Sequence, residues 1–223
     1  MEDEVDRVDD HGRGSQLMTM MQMMLGAGGT LAIISAASAW QGGGPASGLV
    51  TITKPSQVQL GDLLISFVAA DSSAPVTPGA GFSEDYDATS HPMGEVAHLS
   101  AGASEPASYD FSTGPKADLC GAIVCLRGAA FDVAGTASSL ASTPAAPSIT
   151  LSQAGLVLAC YATEGSGTFS TPTGFDPVIS QYGNSVNIAI FAKSFAAGAT
   201  GTVSSTLSSN NGKGLLIGIK HSF

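Results

Sequence analysis

The chain reads as an all-β protein: a two-sheet, jelly-roll-like β-sandwich made of two pseudo-repeated halves, preceded by an N-terminal arm with one short helix. Three observations predict this. Only 12% of the 223 residues are charged, while 28 glycines and 11 prolines are scattered without a fixed period, a composition suited to short strands joined by tight turns. Outside the arm no helical periodicity is present. A series of landmarks recurs in the same order at a spacing of 93 to 96 residues.

The arm occupies residues 1–48. Six of the 18 acids fall in residues 1–10, with Arg7 as the only base there, and no charge follows between Ser15 and Thr53. Leu17 to Ala39 is mostly apolar and about as long as the roughly 20 residues that span a bilayer. Gly26, Gly28 and Gly29 interrupt the run, and the acidic start is the opposite of a secretory signal, so a membrane span and a cleaved leader are both disfavoured. The preferred reading is a helix from Ser15 to Leu25, with Ser15 as N-cap and acids ahead of it that suit the helix dipole. Five of the seven methionines lie between Met18 and Met24, which leaves this helix apolar on every face. Leu17, Met18, Met20, Met21, Met23, Met24 and Leu25 are therefore the expected anchoring residues toward partner subunits. Thr30 to Ser35 reads as a strand and Gln41 to Gly48 as a turn-rich linker. The Gly26–Thr30 stretch lacks the lysine and the preceding strand of a nucleotide loop.

Residues 49–223 read as one domain. Leu49–Thr53 is its first strand. Gly61–Ala69 and Gly155–Thr163 are apolar runs launched from glycine, 94 residues apart; Thr77-Pro78 with Phe82 matches Thr171-Pro172 with Phe175 at 94 and 93. Leu99–Gly102 and Phe195–Gly198 follow at 96, each leading into a Ser/Thr-rich strand, Ala107–Ser112 and Gly201–Leu207. Gly121–Arg127 and Gly214–Lys220 close the two repeats at 93, each ending on a base. The repeats thus span about residues 61–127 and 155–220, with an extended crossover over 131–148 marked by Pro144 and Pro147. Neither half can bury its apolar face alone, which predicts a shared core.

Chemistry is sparse. Eight Lys plus Arg with no basic cluster exclude a nucleic-acid footprint. Cys120 and Cys125, five apart in one strand, fall on opposite faces and cannot clasp one metal; with Cys160 they read as small buried hydrophobes of a reducing compartment. No nucleophile elbow occurs, and His11, His91, His98 and His221 share no spacing that suggests one site. Ser83-Glu84-Asp85-Tyr86-Asp87, followed by His91 and His98, is the densest polar run. It reads as a solvated loop or edge strand, with a cation site as the alternative. Trp40, Tyr86, Tyr109, Tyr161 and Tyr182 are expected in core or interface more than on a sugar-stacking surface. The expectation is a non-enzymatic protein with no catalytic residue, cofactor or metal.

Lys54–Ile65 (KPSQVQLGDLLI), Gly102–Phe111 (GASEPASYDF) and Ile123–Gly128 (IVCLRG) together resemble β-sandwich modules of tailed-bacteriophage virion proteins, minor tail or fibre-associated ones. The resemblance covers residues 49–220 and leaves the arm unmatched. It implies a structural component of the virion, assembled in the host cytoplasm and acting in assembly or host-surface attachment. Its partners would be other virion proteins, copies of itself in a trimer or sixfold ring, and a host-surface glycan or protein. A capsid decoration protein, a carbohydrate-binding or carbohydrate-processing module and a membrane-anchored surface adhesin remain as alternatives.

Overall fold

The apolar runs that begin near Leu63 and Leu156 become the central strands of two five-stranded antiparallel sheets. The computed structural model describes residues 31–42, 48–87, 90–114, 117–165 and 167–222. The first half contains β1 (Ala32–Gln41), β2 (Leu49–Thr53), β3 (Leu63–Ala70), β4 (Val76–Thr77), β5 (Ser83–Asp87), β6 (Met93–Ser100), β7 (Ser108–Thr113) and β8 (Leu119–Arg127). The second contains β9 (Ala129–Ala134), β10 (Ala145–Ala146), β11 (Thr150–Leu151), β12 (Gly155–Glu164), β13 (Asp176–Tyr182), β14 (Val186–Phe195), β15 (Gly198–Ala199), β16 (Val203–Ser204) and β17 (Gly212–His221). The described residues are all-β, without a helix. The helix expected from Ser15 to Leu25, with its anchoring residues Leu17, Met18, Met20, Met21, Met23, Met24 and Leu25, lies outside the described residues.

The two large sheets have the same strand order. In the first it is β1-β8-β3-β6-β5; in the second, β9-β17-β12-β14-β13. Replacing each strand by its counterpart in the other half converts one order into the other. The smaller sheets correspond as well, β2-β7-β4 in the first half against the short pairs β10-β16 and β11-β15 with a Phe169–Leu207 bridge in the second.

Even irregularities are shared. β1 bulges at Ile34, between the pairs Ile33–Leu126 and Ser35–Cys125; β9 bulges at Asp132, between Phe131–Ile219 and Val133–Gly218. β5 bulges at Asp85, between Glu84–Ala97 and Tyr86–Val96, and β13 at Val178, between Pro177–Phe191 and Ile179–Ile190. A bulge adds one unpaired residue and re-aims the rest of its strand, so its position is a specific feature of a strand pair. The Phe82 N–H donates to Gly79 O and the Phe175 N–H to Pro172 O, closing equivalent turns through Gly81 and Gly174, both at positive φ.

These pairings correct two of the expected alignments. Leu63 pairs with Leu126 and Leu156 with Ile219, so the β3–β12 offset is 93 rather than 94. That single residue matters, because a shift of one turns every side chain to the opposite face. For β6 and β14 the pairs Val96–Phe67 and Ile190–Cys160 give 94 rather than 96. Glycines drew the sequence alignment to the strand entrances, whereas the facing of the side chains sets the structural one.

Where one two-sheet sandwich is expected, the body is four layers deep. Val50, Ile52, Leu64, Phe111 and Ile123 fill the space between the first large sheet and β2-β7-β4. Val157, Tyr161, Phe191 and Leu216 do the same in the second half. Between the two large sheets lies the biggest core, with Ile65, Phe67, Val124 and Leu126 from one half against Leu158, Ile188, Ile190 and Ile217 from the other. β3, β8 and β12 are buried almost end to end on both faces, which is why they read as continuous apolar runs rather than alternating ones. The expected shared core is this central layer.

β1 packs on β13 and β5 on β9. Exchanging the halves exchanges these two contacts, so the halves face each other about a pseudo-twofold axis, in the manner of an isologous dimer. Three boundaries differ from expectation. The strand expected at Thr30–Ser35 runs instead from Ala32 to Gln41 and pairs with β8, which makes it a strand of the body. The start of the 131–148 crossover is strand β9, paired with β17. The strand expected at Gly201–Leu207 contracts to Val203–Ser204 plus the Leu207 bridge.

Candidate functional site

The densest polar contacts lie where the two halves meet. Asp71 follows β3 and Glu164 ends β12, at equivalent places 93 residues apart. Between them stands His91: its Nε2 is 2.6 Å from Asp71 Oδ1 and its Nδ1 2.5 Å from Glu164 Oε1. Each ring nitrogen thus meets a carboxylate oxygen, one from either half. Lys213 Nζ, beside Glu164, donates to Ser90 O at 3.1 Å and Ser90 Oγ at 2.8 Å, and burial lowers the Lys213 ammonium below its ordinary pKa. With both His91 nitrogens engaged, this cluster straps one half to the other.

Further along the junction, the Asp85 bulge turns its carboxylate onto His98 Nδ1 at 2.8 Å, and the His98 ring stacks on Phe131 of β9 at 4.6 Å. Burial raises the Asp85 carboxyl and the His98 contact offsets part of that rise. Tyr86 Oη accepts from the Ala137 N–H at 3.2 Å. At the β1–β13 side, Ser38 Oγ donates to Gln181 Oε1 at 2.8 Å, and Trp40 packs on Gly183 so closely that a Cβ there would sit 2.0 Å from the indole. The polar run from Ser83 to Asp87 is thus an edge strand, as one of its expected readings has it, and His91 and His98 serve separate contacts within the junction.

One buried acid carries no distinguishing mark in the sequence. Glu95 is fully buried inside the first half, in the middle of β6. Ser66 Oγ lies 3.3 Å from its Oε1, while Oε2, like Oδ1 of Asp87 directly opposite in the β5–β6 register, is buried without a protein hydrogen-bond partner. Burial, reinforced by the charges of Glu84, Asp87 and Asp85, pushes the Glu95 carboxyl up to about 8. Counterparts of Ser66 and Glu95 in the second half are Ala159 and Ala189, both in its core. The available signal was a lone acid within the apolar run Met93–Leu99. Among the described residues no group of three or more His, Cys, Asp or Glu is placed to hold a metal ion.

The cysteines are core residues. Cys120 faces the central layer and Cys125 the inner core of the first half, on opposite faces as their spacing requires. Burial pushes both thiols up to about 12 and raises Cys160 further, so the thiolate form is disfavoured in each. Nor do the aromatic residues form a common surface. Tyr109 and Tyr161 are buried, donating to Glu105 Oε2 at 2.7 Å and Val203 O at 2.9 Å, whereas Tyr182 is half exposed at the end of β13.

The bases that end the repeats are each held by a carboxylate, but by a different one. Arg127 makes a two-pronged contact with buried Asp62, through Nε at 2.9 Å and Nη2 at 2.8 Å. Burial alone would raise the Asp62 carboxyl, but Arg127 and the Gln59 N–H outweigh it and bring it below its usual value. Lys220 instead meets Asp132, the bulge residue of β9, at 3.6 Å.

A shallow recess of about 360 Å³ is lined by Leu140, Glu164, Gly165, Asn210 and Asn211. No helix among the described residues is long and apolar enough to cross a membrane. In comparisons with known proteins, the chain matches no protein-family model, no curated protein and no solved structure.

Proposed function

We propose that the chain is a non-enzymatic structural component of a tailed-bacteriophage virion, at the tail or a fibre, acting in assembly or host-surface attachment. The observation that carries the reading is the resemblance of the Lys54–Ile65, Gly102–Phe111 and Ile123–Gly128 segments to virion β-sandwich modules. The doubled body supports it. Its ionisable clusters described above strap the halves together or lie buried, an arrangement that suits a rigid particle subunit.

In this reading each half is a jelly-roll-like unit: the β1-β8-β3-β6-β5 sheet faces β2-β7-β4, and consecutive strands alternate between the two sheets except for β5 and β6, which pair within one. The charge-free stretch from Ser15 onward, which leads into β1, is the attachment arm, and its methionines adapt to the surface of a neighbouring virion protein. Imaging of virions from the source, with the chain labelled, tests the proposal. Label at the tail or fibre is the expected result; label on the head shell would replace it by a decoration role, and absence from the particle would overturn it.

A further inference from the structure

The edges of the two large sheets are not alike. β5 carries Glu84, Asp85 and Asp87; β13 opens on Asp176-Pro177 and is bent by its bulge at Val178; β9 is six residues long with Asp132 in its bulge. β1 has ten residues, no charge and no proline. Its one bulge, at Ile34, leaves Ser35 to Gln41 in unbroken register with β8. Among the described residues β8 is the sole strand that pairs with β1, so the backbone groups along its outer edge have no strand partner there.

Natural sheets block edge-to-edge pairing with charge, proline, bulges or shortness. Three of these four edges use such devices along their length. The edge strands of the smaller sheets have five residues or fewer. β1 leaves seven consecutive residues unprotected.

We propose that β1 is the surface through which two copies of this chain associate. The strands pair antiparallel about a twofold axis near Ser38, joining two five-stranded sheets into one continuous sheet of ten. A strand that pairs antiparallel with itself is self-complementary, and because the described residues of each chain offer one competent long edge the assembly closes as a dimer instead of growing into a filament. Electrostatics select the same place. The chain carries a net charge of −10, yet β1 itself has none, so two copies of the strand can pair without setting like charges opposite each other. The centre of the edge is Ala36, Ala37, Ser38 and Ala39, whose side chains stand on the two faces of the sheet, Ala36 against the central core and Ala37 and Ala39 against the inner one, and leave the in-plane edge to the backbone. This inference sets a twofold dimer in place of the trimer or sixfold ring that the resemblance implies; it rests on sheet geometry and stands or falls separately from particle location.

The test is sedimentation of the full-length chain over a range of concentrations, with two variants. The wild type is expected to reach twice the mass of one chain. Ala37→Lys, at a partly exposed position from which a lysine stem can reach water, is expected to weaken association about tenfold or more while far-UV circular dichroism stays unchanged. Ser38→Cys is expected to cross-link chain to chain with a short bis-maleimide, over little background because Cys120, Cys125 and Cys160 are buried. This second variant keeps the test decisive should Ala37→Lys misfold. A wild type that remains a single chain at every concentration overturns the proposal. So does a dimer in which the Ser38→Cys variant fails to cross-link, which places the contact elsewhere. Slow amide exchange along the outer edge of β1 in the single-chain form would also overturn it, because the chain's own N-terminal residues would then occupy that edge.

Discussion

Asp71 and Glu164 occupy equivalent places in the two repeats, 93 residues apart, and each holds one nitrogen of the His91 ring. Two strand ends that correspond under the pseudo-twofold relation are thereby joined through one imidazole ring. The halves are already sealed by the apolar layer beneath, so the strap adds registry to an interface whose energy comes from burial.

The strap is partly exposed, and its contribution is correspondingly modest. Replacing His91 by Gln is expected to lower unfolding stability by about 1–2 kcal/mol, read from urea denaturation. In a double-mutant cycle, Asp71→Asn and Glu164→Gln are expected to be non-additive, because both act through the same ring. Strict additivity would show that the His91 ring does not couple them.

Glu95 makes the first half pH-sensitive. Its carboxyl is raised from 4.5 to about 8 in the fold, so the folded state holds a proton that the unfolded state has already released across that interval. Stability therefore falls as pH rises from about 5 to about 8 and levels off beyond, by on the order of 3 kcal/mol. Glu95→Gln, which keeps the shape and removes the titration, is expected to flatten the profile and melt higher than wild type at about pH 9. A wild-type melting temperature that does not decline over this range would count against a buried, protonated Glu95.

Asp62 behaves in the opposite sense. Its folded value lies below the unfolded one, so its stabilisation is complete above the unfolded carboxylate range and is lost as pH falls through the folded value. Asp62→Asn leaves Arg127 with a poorer acceptor and is expected to cost about 2 kcal/mol at neutral pH, with the difference from wild type shrinking under acid.

Two glycines separate close approach from backbone conformation. A Cβ on Gly155 would lie 2.0 Å from Ile219 O in the β12–β17 pair, so Gly155→Ala must force the strands apart and is expected to cost more than about 3 kcal/mol. Gly61 has φ +84° with open space around the added carbon, so Gly61→Ala suffers only backbone strain, about 1 kcal/mol. Equal losses at the two positions would contradict this account of the strand packing.

All three thiols are buried. Cys120, Cys125 and Cys160 are expected to resist alkylation in the native protein and to react together once it unfolds, which quantitative mass labelling through a denaturant series will report. Rapid modification of any one of them in the native chain would mean that its core opens locally.

Much of this architecture was legible from residues alone. Low charge, dispersed glycine and repeated landmarks led to an all-β body with two similar halves. The polarity of Ser83–Asp87 pointed to a solvated loop or an edge strand, of which the sheet pairing selects the second, and the opposite facing of Cys120 and Cys125 followed from their odd separation. Glu95 escaped notice because one acid in an apolar strand does not disclose whether it faces water or core. His91 escaped as a strap because its partners come from both halves, 20 and 73 residues away in sequence.

By itself the sequence determined the strand-forming runs, the turns between them and their repetition, since these follow from local composition and spacing. Tertiary structure decided what those runs face. A strand buried on both sides is apolar at every position and has no period from which to read its neighbours, so the four-layer stack, the offset of 93 and the central core emerge only when the sheets meet. The same holds for the strap and for the difference between the edges: each depends on what a distant segment brings to one place.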